Sequence, residues 1–221
     1  MTGKPLWKAR PGEAAYAAPA IVNMGDQAGL LIFNAAGLSC LDPDDGKEFW
    51  SVPWKTNYKV NATTPVTDGT TVFITSGYGT GCQALKAAPA GAEVLWTGKV
   101  IAAHHSDPFI IDGFIYGYSG QSNQNKGIFK CVKLDDGTEK WRTDKLGWGT
   151  TLHVDGHLLC MDNEGSLFLV KPDPEALEIV TEFRSALGEV DHPAWTIPVA
   201  ANGKLYLRYM QRLLCYSLTD E

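Results

Sequence analysis

The sequence is short of almost everything that would announce a chemical mechanism. No two of its five cysteines are adjacent and none are spaced C-x-x-C, which removes the usual ligand pattern of a redox motif or a structural zinc site. There is no phosphate-binding loop, no H-E-x-x-H, no nucleophile elbow and no carboxylate pair that a known motif would bring together. Nothing approaches the run of about 20 apolar residues that a membrane-spanning helix needs. The formal charge of −6 is spread along the chain without a basic cluster, which argues against nucleic acid as a partner. Helical periodicity is also missing. Only Glu175 to Arg184 has a mildly helical composition.

What the sequence does have is a repeat. Trp7, Trp50, Trp96, Trp141 and Phe183 recur at intervals of 43, 46, 45 and 42 residues. A period of this size marks units that bury their apolar faces against neighbours. Each unit opens on a small or polar stretch, usually with proline (Pro19, Pro65, Pro108, Pro198; Leu152 in the remaining unit). A short apolar run then breaks at Asp68-Gly69, Asp112-Gly113, Asp155-Gly156 or Asn202-Gly203, dipeptides that accept the positive φ of a tight hairpin. A second run rich in β-branched and aromatic residues follows. Next comes a second break, at Gly37, at Gly77 to Gly81, at the polar loop Gln121 to Gly127, and at Gly165. A third run and a further turn lead to the marker aromatic. Four short strands per unit, repeated, predict an all-β β-propeller of about five four-stranded antiparallel blades. The approximate units are 8–50, 51–96, 97–141, 142–183 and 184–221, in one domain. The Glu175–Arg184 stretch falls in the slot of a fourth strand, so register outranks its composition.

The copies Gly37-Leu-Ser-Cys-Leu41-Asp-Pro-Asp-Asp-Gly46-Lys-Glu-Phe-Trp50 and Lys130-Cys-Val-Lys-Leu134-Asp-Asp-Gly137-Thr-Glu-Lys-Trp141 carry a resemblance. They resemble the tryptophan-docking repeat of the quinoprotein, or PQQ-like, propellers, and the chain is similar over its whole length to the bacterial PQQ-binding-like β-propeller repeat proteins. The resemblance implies that Trp7, Trp50, Trp96 and Trp141 dock one blade on the next. It also implies export, as for periplasmic members, although no leader precedes the first strand pattern. In the quinoprotein dehydrogenases, pyrroloquinoline quinone lies between a tryptophan and a disulfide of adjacent cysteines, beside calcium and a catalytic aspartate. This sequence lacks the adjacent cysteines. Asp42-Pro-Asp-Asp-Gly46 starts like a calcium loop but lacks its closing acidic residue. The expectation is therefore no PQQ and no metal.

Cys82, Cys131 and Cys215 each stand three residues before a leucine (Leu85, Leu134, Leu218) read as closing the third strand. A slot filled by either Leu or Cys is expected to be buried core. The ends add a further expectation. Residues 1–7 match a fourth strand and the C-terminus stops after a third, which fits either a closed five-bladed ring or, the preferred reading, part of a seven- to eight-bladed one.

Function has to come from residues that the repeat does not require. The positions leading into each innermost strand vary: Tyr16; Asn57, Tyr58 and Asn61; His104 and His105; Trp148; Asp191, His192 and Trp195. Aimed at one mouth of a propeller funnel, this aromatic and imidazole set suits a protein, peptide or carbohydrate ligand. No catalytic residue is assigned. The reading is a non-catalytic scaffold. The alternative is a fragment of a quinoprotein-like dehydrogenase whose cofactor site is incomplete or absent in this chain.

Overall fold

Hairpin turns set the strands. In the computed structural model, which describes residues 3–9, 12–120 and 127–219, Asp112, Asp155 and Asn202 take φ near +50° and each is followed by a glycine with φ of +69° to +80°. Such a left-handed pair matches the twist of the strands it joins. Among the described residues the elements are nineteen strands and no helix. They form five antiparallel sheets, each a simple meander. The chain therefore folds as blades of a β-propeller.

The chain divides into two compact units. The first, residues 1–104 with 135–137, holds two sheets. One runs β1 (Ala20–Met24), β2 (Gln27–Asn34), β3 (Gly37–Leu41), β4 (Glu48–Pro53), and the other β5 (Val66–Thr67), β6 (Thr71–Ser76), β7 (Gly81–Ala88), β8 (Gly91–Gly98). Alternate residues of these strands, Val22, Leu31, Leu38, Val72, Ile74 and Leu85 among them, share one buried cluster with Trp50 and Trp54.

The second unit holds three sheets. The first is β9 (Phe109–Ile111), β10 (Phe114–Ser119), β11 (Ile128–Lys133) and β12 (Glu139–Thr143); the next is β13 (Gly149–Val154), β14 (His157–Asp162), β15 (Leu167–Lys171) and β16 (Glu178–Phe183). The last has three strands, β17 (Val199–Ala201), β18 (Lys204–Tyr209) and β19 (Arg212–Ser217). One cluster joins Tyr116, Phe129 and Cys131 to Leu158 and Phe168. Another joins Met161 and Leu187 to Leu205, Leu207 and Tyr209. Glu175–Arg184 does contain a fourth strand, β16.

Strand pairing corrects the register read from the sequence. One row crosses each sheet: Ala20, Leu31, Cys40, Trp50 in the first; Val66, Phe73, Ala84, Trp96 in the second; Phe109, Tyr116, Cys131, Trp141 in the third. The fourth row is Leu152, Leu159, Leu169, Thr181, and the fifth is Val199, Tyr206, Cys215 with no fourth strand among the described residues. Every fourth strand carries a one-residue bulge just before the row, which bends the strand locally.

Phe183 is not the counterpart of the tryptophans, because it pairs with Leu167, two places from the row that Thr181 occupies. Cys82 pairs with Gly98 and not with a tryptophan, so it shares no slot with Cys131. Cys215 does stand in the row of Cys40 and Cys131, yet it is exposed, because no fourth strand covers it. The segment 3–9 is not a strand. Of the polar loop expected at Gln121 to Gly127, residues 121–126 lie outside the described residues.

The indoles are seated alike. Trp7 donates Nε1 to the Pro43 carbonyl at 3.0 Å, and its ring covers Gly46, where a Cβ would stand 2.5 Å from a ring carbon. Trp50 donates to the Ala88 carbonyl at 2.9 Å and Trp141 to that of Asp173 at 2.8 Å. Trp96 lies over Gly137, 2.9 Å from the place of a Cβ. In each case the acceptor or the covered glycine lies in, or at the edge of, the turn between a third and a fourth strand. A residue without a side chain at positive φ is required there, and Gly46 (+75°) and Gly137 (+74°) supply it.

Candidate functional site

The segments that lead into the innermost strands are irregular, so their side chains are not committed to sheet packing. In the first unit this yields an edge-to-face chain of three rings. Tyr58 meets Tyr78 with centroids 5.0 Å apart, and Tyr78 meets His104 at 4.8 Å. Tyr58 is 69% exposed. Tyr78 sits at φ +58° in the Gly77–Gly81 loop, and Gly77 packs directly under His104. Burial pushes the His104 imidazole below its usual pKa, since a half-buried ring loses the hydration of its cation. Asn57, the neighbour of Tyr58 in sequence, is exposed, as is Tyr16, which is held by its backbone N–H on the Asn61 carbonyl at 3.1 Å.

Asn61 leaves the candidate list. Its side chain is fully buried: Nδ2 donates to the Asn34 carbonyl at 2.7 Å, and Oδ1 accepts from Ser76 Oγ at 2.7 Å. Ser76 Oγ in turn accepts the Trp54 indole N–H at 3.0 Å. A buried amide with all its partners inside the protein is a fold-forming residue. Asn61→Ala should lower stability by about 3 kcal/mol, because both the Asn34 carbonyl and Ser76 lose partners away from water. The check is a urea midpoint that falls while the slope is unchanged.

In the second unit the rings are His105, Trp148 and Trp195. His105 lies 4.6 Å from Trp148 and 5.3 Å from Trp195, and the two indoles meet edge to face at 6.4 Å. Trp148 is buried and Trp195 is 53% exposed, so Trp148 is the prop and Trp195 the presented face. Close packing of Trp148 on Gly127 fixes the prop, since a Cβ there would meet its backbone at 2.2 Å.

Asp191 and His192 lie in a bend and not in a strand. Both backbone N–H groups donate to Tyr209 Oη, at 3.0 and 2.7 Å, and that hydroxyl donates to Asp191 Oδ1 at 2.5 Å. The hydroxyl holds the Asp191 carboxyl below its ordinary pKa, because it bonds the charged form. Arg212 lies over the Tyr209 ring, 5.0 Å from its centroid, and donates to the Glu189 carbonyl at 2.5 Å. His192 to Thr196 with Arg208, Tyr209 and Met210 line a half-open cavity of about 430 Å³. Tyr209, Arg208 and Met210 had no motif to mark them; the only sequence signal was their place at the end of a strand and the hairpin after it.

No group of three or more His, Cys, Asp or Glu side chains among the described residues is arranged to hold a metal ion. The residues do not fit pyrroloquinoline quinone either. Cys40, Cys82, Cys131 and Cys160 are buried, Cys215 is exposed on β19, all five are free thiols, and the Asp191 carboxylate is engaged by Tyr209.

The family model of the outer membrane protein assembly factor BamB matches residues 34–124. The fold matches BamB from Moraxella catarrhalis at 16% identity and TM-score 0.64, over 90% of this chain and 57% of that one. The chain thus resembles the PQQ-like β-propeller proteins, in sequence over residues 34–124 and in fold. Its propeller is also similar to quinohemoprotein alcohol dehydrogenases. That from Pseudomonas putida matches at 13% identity and TM-score 0.68, over 91% of this chain and 40% of that one. That from Comamonas testosteroni matches at 11% and 0.63, over 91% and 41%. The chain spans between two fifths and three fifths of the length of these solved structures. None of the curated proteins matches. Among the described residues no helix is long and apolar enough to cross a membrane.

Proposed function

We propose that this PQQ-like propeller is a non-catalytic scaffold that binds a protein or peptide partner, and that the second unit presents the principal contact. The observation that carries this reading is Trp195, a large ring left 53% exposed and propped by His105 and Trp148. A rigid aromatic anchor lying over a cavity gives contact area at low entropic cost. The Tyr58, Tyr78 and His104 rings are a second contact within the first unit, and Tyr16 and Asn57 belong to the same reading. The match to a model described as an assembly factor supports a protein partner over a glycan, and it supports a place outside the cytoplasm. Neither pyrroloquinoline quinone nor a metal has a part in it.

The alternative, a portion of a quinoprotein-like dehydrogenase, has the fold likeness behind it and no residue set. Selection of random displayed peptides on the protein tests the two together. Enrichment of defined sequences, falling at least about tenfold with Trp195→Ala as expected for the loss of an aromatic anchor, is the expected result. Failure to enrich any sequence, together with a quinone-like absorption band on adding pyrroloquinoline quinone and calcium, would favour the dehydrogenase.

A further inference from the structure

The cavity beside Trp195 carries charge of one sign only. Arg208 projects from β18 into its wall and is exposed. Among the described residues its guanidinium has neither an ion pair nor a hydrogen bond, although the chain has more acids than bases. No aspartate or glutamate lines the cavity; its other walls are His192, Pro193, Ala194, Trp195, Thr196, Tyr209 and Met210. The acid nearest in sequence, Asp191, is occupied by the Tyr209 hydroxyl.

The cavity is also preformed. Three hydrogen bonds to Tyr209 Oη and one from Arg212 to the Glu189 carbonyl tie the segment 189–192 to the β18–β19 hairpin. A guanidinium held ready without an acid partner is a fork for a carboxylate. An exposed indole and Met210, which is 48% exposed, offer apolar contact in the same space.

We infer that this cavity binds a peptide carboxylate next to a large apolar side chain, the carboxylate on Arg208 and the side chain against Trp195 and Met210. The inference rests on the peptide-binding reading above and adds the chemistry of the ligand. The carboxylate has two possible sources, a chain terminus or an acidic side chain.

Calorimetric titration with three blocked peptides separates them: one ending in phenylalanine with a free carboxylate, the same peptide amidated, and an amidated peptide with an internal Asp-Phe pair. The free acid is expected to bind about tenfold or more tighter than its amide, the difference of one charge-assisted hydrogen-bonded pair. Arg208→Gln should bring the acid down to the level of the amide. This exposed, unpaired residue can be replaced without disturbing the fold. If the internal Asp-Phe peptide matches the acid, a side-chain carboxylate serves; if it matches the amide, the terminus is the ligand. Equal binding of all three, lost with Trp195→Ala, overturns the carboxylate assignment and leaves the peptide reading standing. No binding of any peptide, or tighter binding of an oligogalacturonate, overturns both.

Discussion

Trp50→Ala should be among the most destabilising single substitutions in the chain, costing about 3–5 kcal/mol in urea or thermal unfolding. The side chain is 7% exposed, packs in the cluster of Val22, Leu31 and Leu85, and donates its indole N–H to the Ala88 carbonyl at 2.9 Å. Alanine would leave a cavity as well as an unpaired carbonyl. Trp50→Phe keeps most of the volume and loses the donor, so its cost should be nearer 1–2 kcal/mol. An Ala variant no worse than the Phe variant would show that the indole docks without supporting the core. Trp7→Ala is the internal contrast. It removes the same kind of contact, to the Pro43 carbonyl, from a side chain that is only half-buried on a segment that is no strand, and it should cost clearly less.

The contrast also explains what could be read in advance. Turn chemistry is local, and Asp112-Gly113, Asp155-Gly156 and Asn202-Gly203 adopt the positive φ pairs that their composition dictates. The tryptophan spacing is nearly local, because one blade is one supersecondary unit. The all-β blade architecture was therefore legible. Register within the third strands was not. Leucines and valines occupy both faces of a strand buried on both sides, so alignment on Leu134 placed Cys131 level with Cys82, and the bulge before each marker was invisible.

The candidate site was legible only in part. His105, Trp148 and Trp195 do come together, whereas Asn61 proved to be internal. Tyr78 was concealed in a glycine-rich loop. Trp54 closes the Asn61 network through Ser76, and Tyr209 bonds residues 17 and 18 positions away. Contacts of that range leave no periodic trace.

The corrected register makes a sharp expectation for the thiols. Cys40, Cys131 and Cys215 hold the same place in three sheets, each paired to its second strand, at Leu31, Tyr116 and Tyr206. Only the first two are also covered by a fourth strand carrying tryptophan. Burial pushes the Cys40 and Cys131 thiols up to about 11 and the Cys160 thiol to about 12, because an anion in an apolar setting lacks hydration. The reactive species is the thiolate, so at pH 8 these groups are screened twice, by coverage and by protonation. Cys215 is exposed and lacks that coverage.

A disulfide reagent such as 5,5′-dithiobis(2-nitrobenzoate) should therefore modify one thiol per chain rapidly under native conditions, and the other four only as the protein unfolds, slower by two or more orders of magnitude. Cys215→Ser should abolish the fast phase and leave the slow one intact. Full native protection would mean that a fourth strand covers β19 in solution. Fast reaction at Cys40 or Cys131 would mean that the tryptophan strands β4 and β12 open on their own, and the docking of each indole on its turn would then contribute little to holding a blade together.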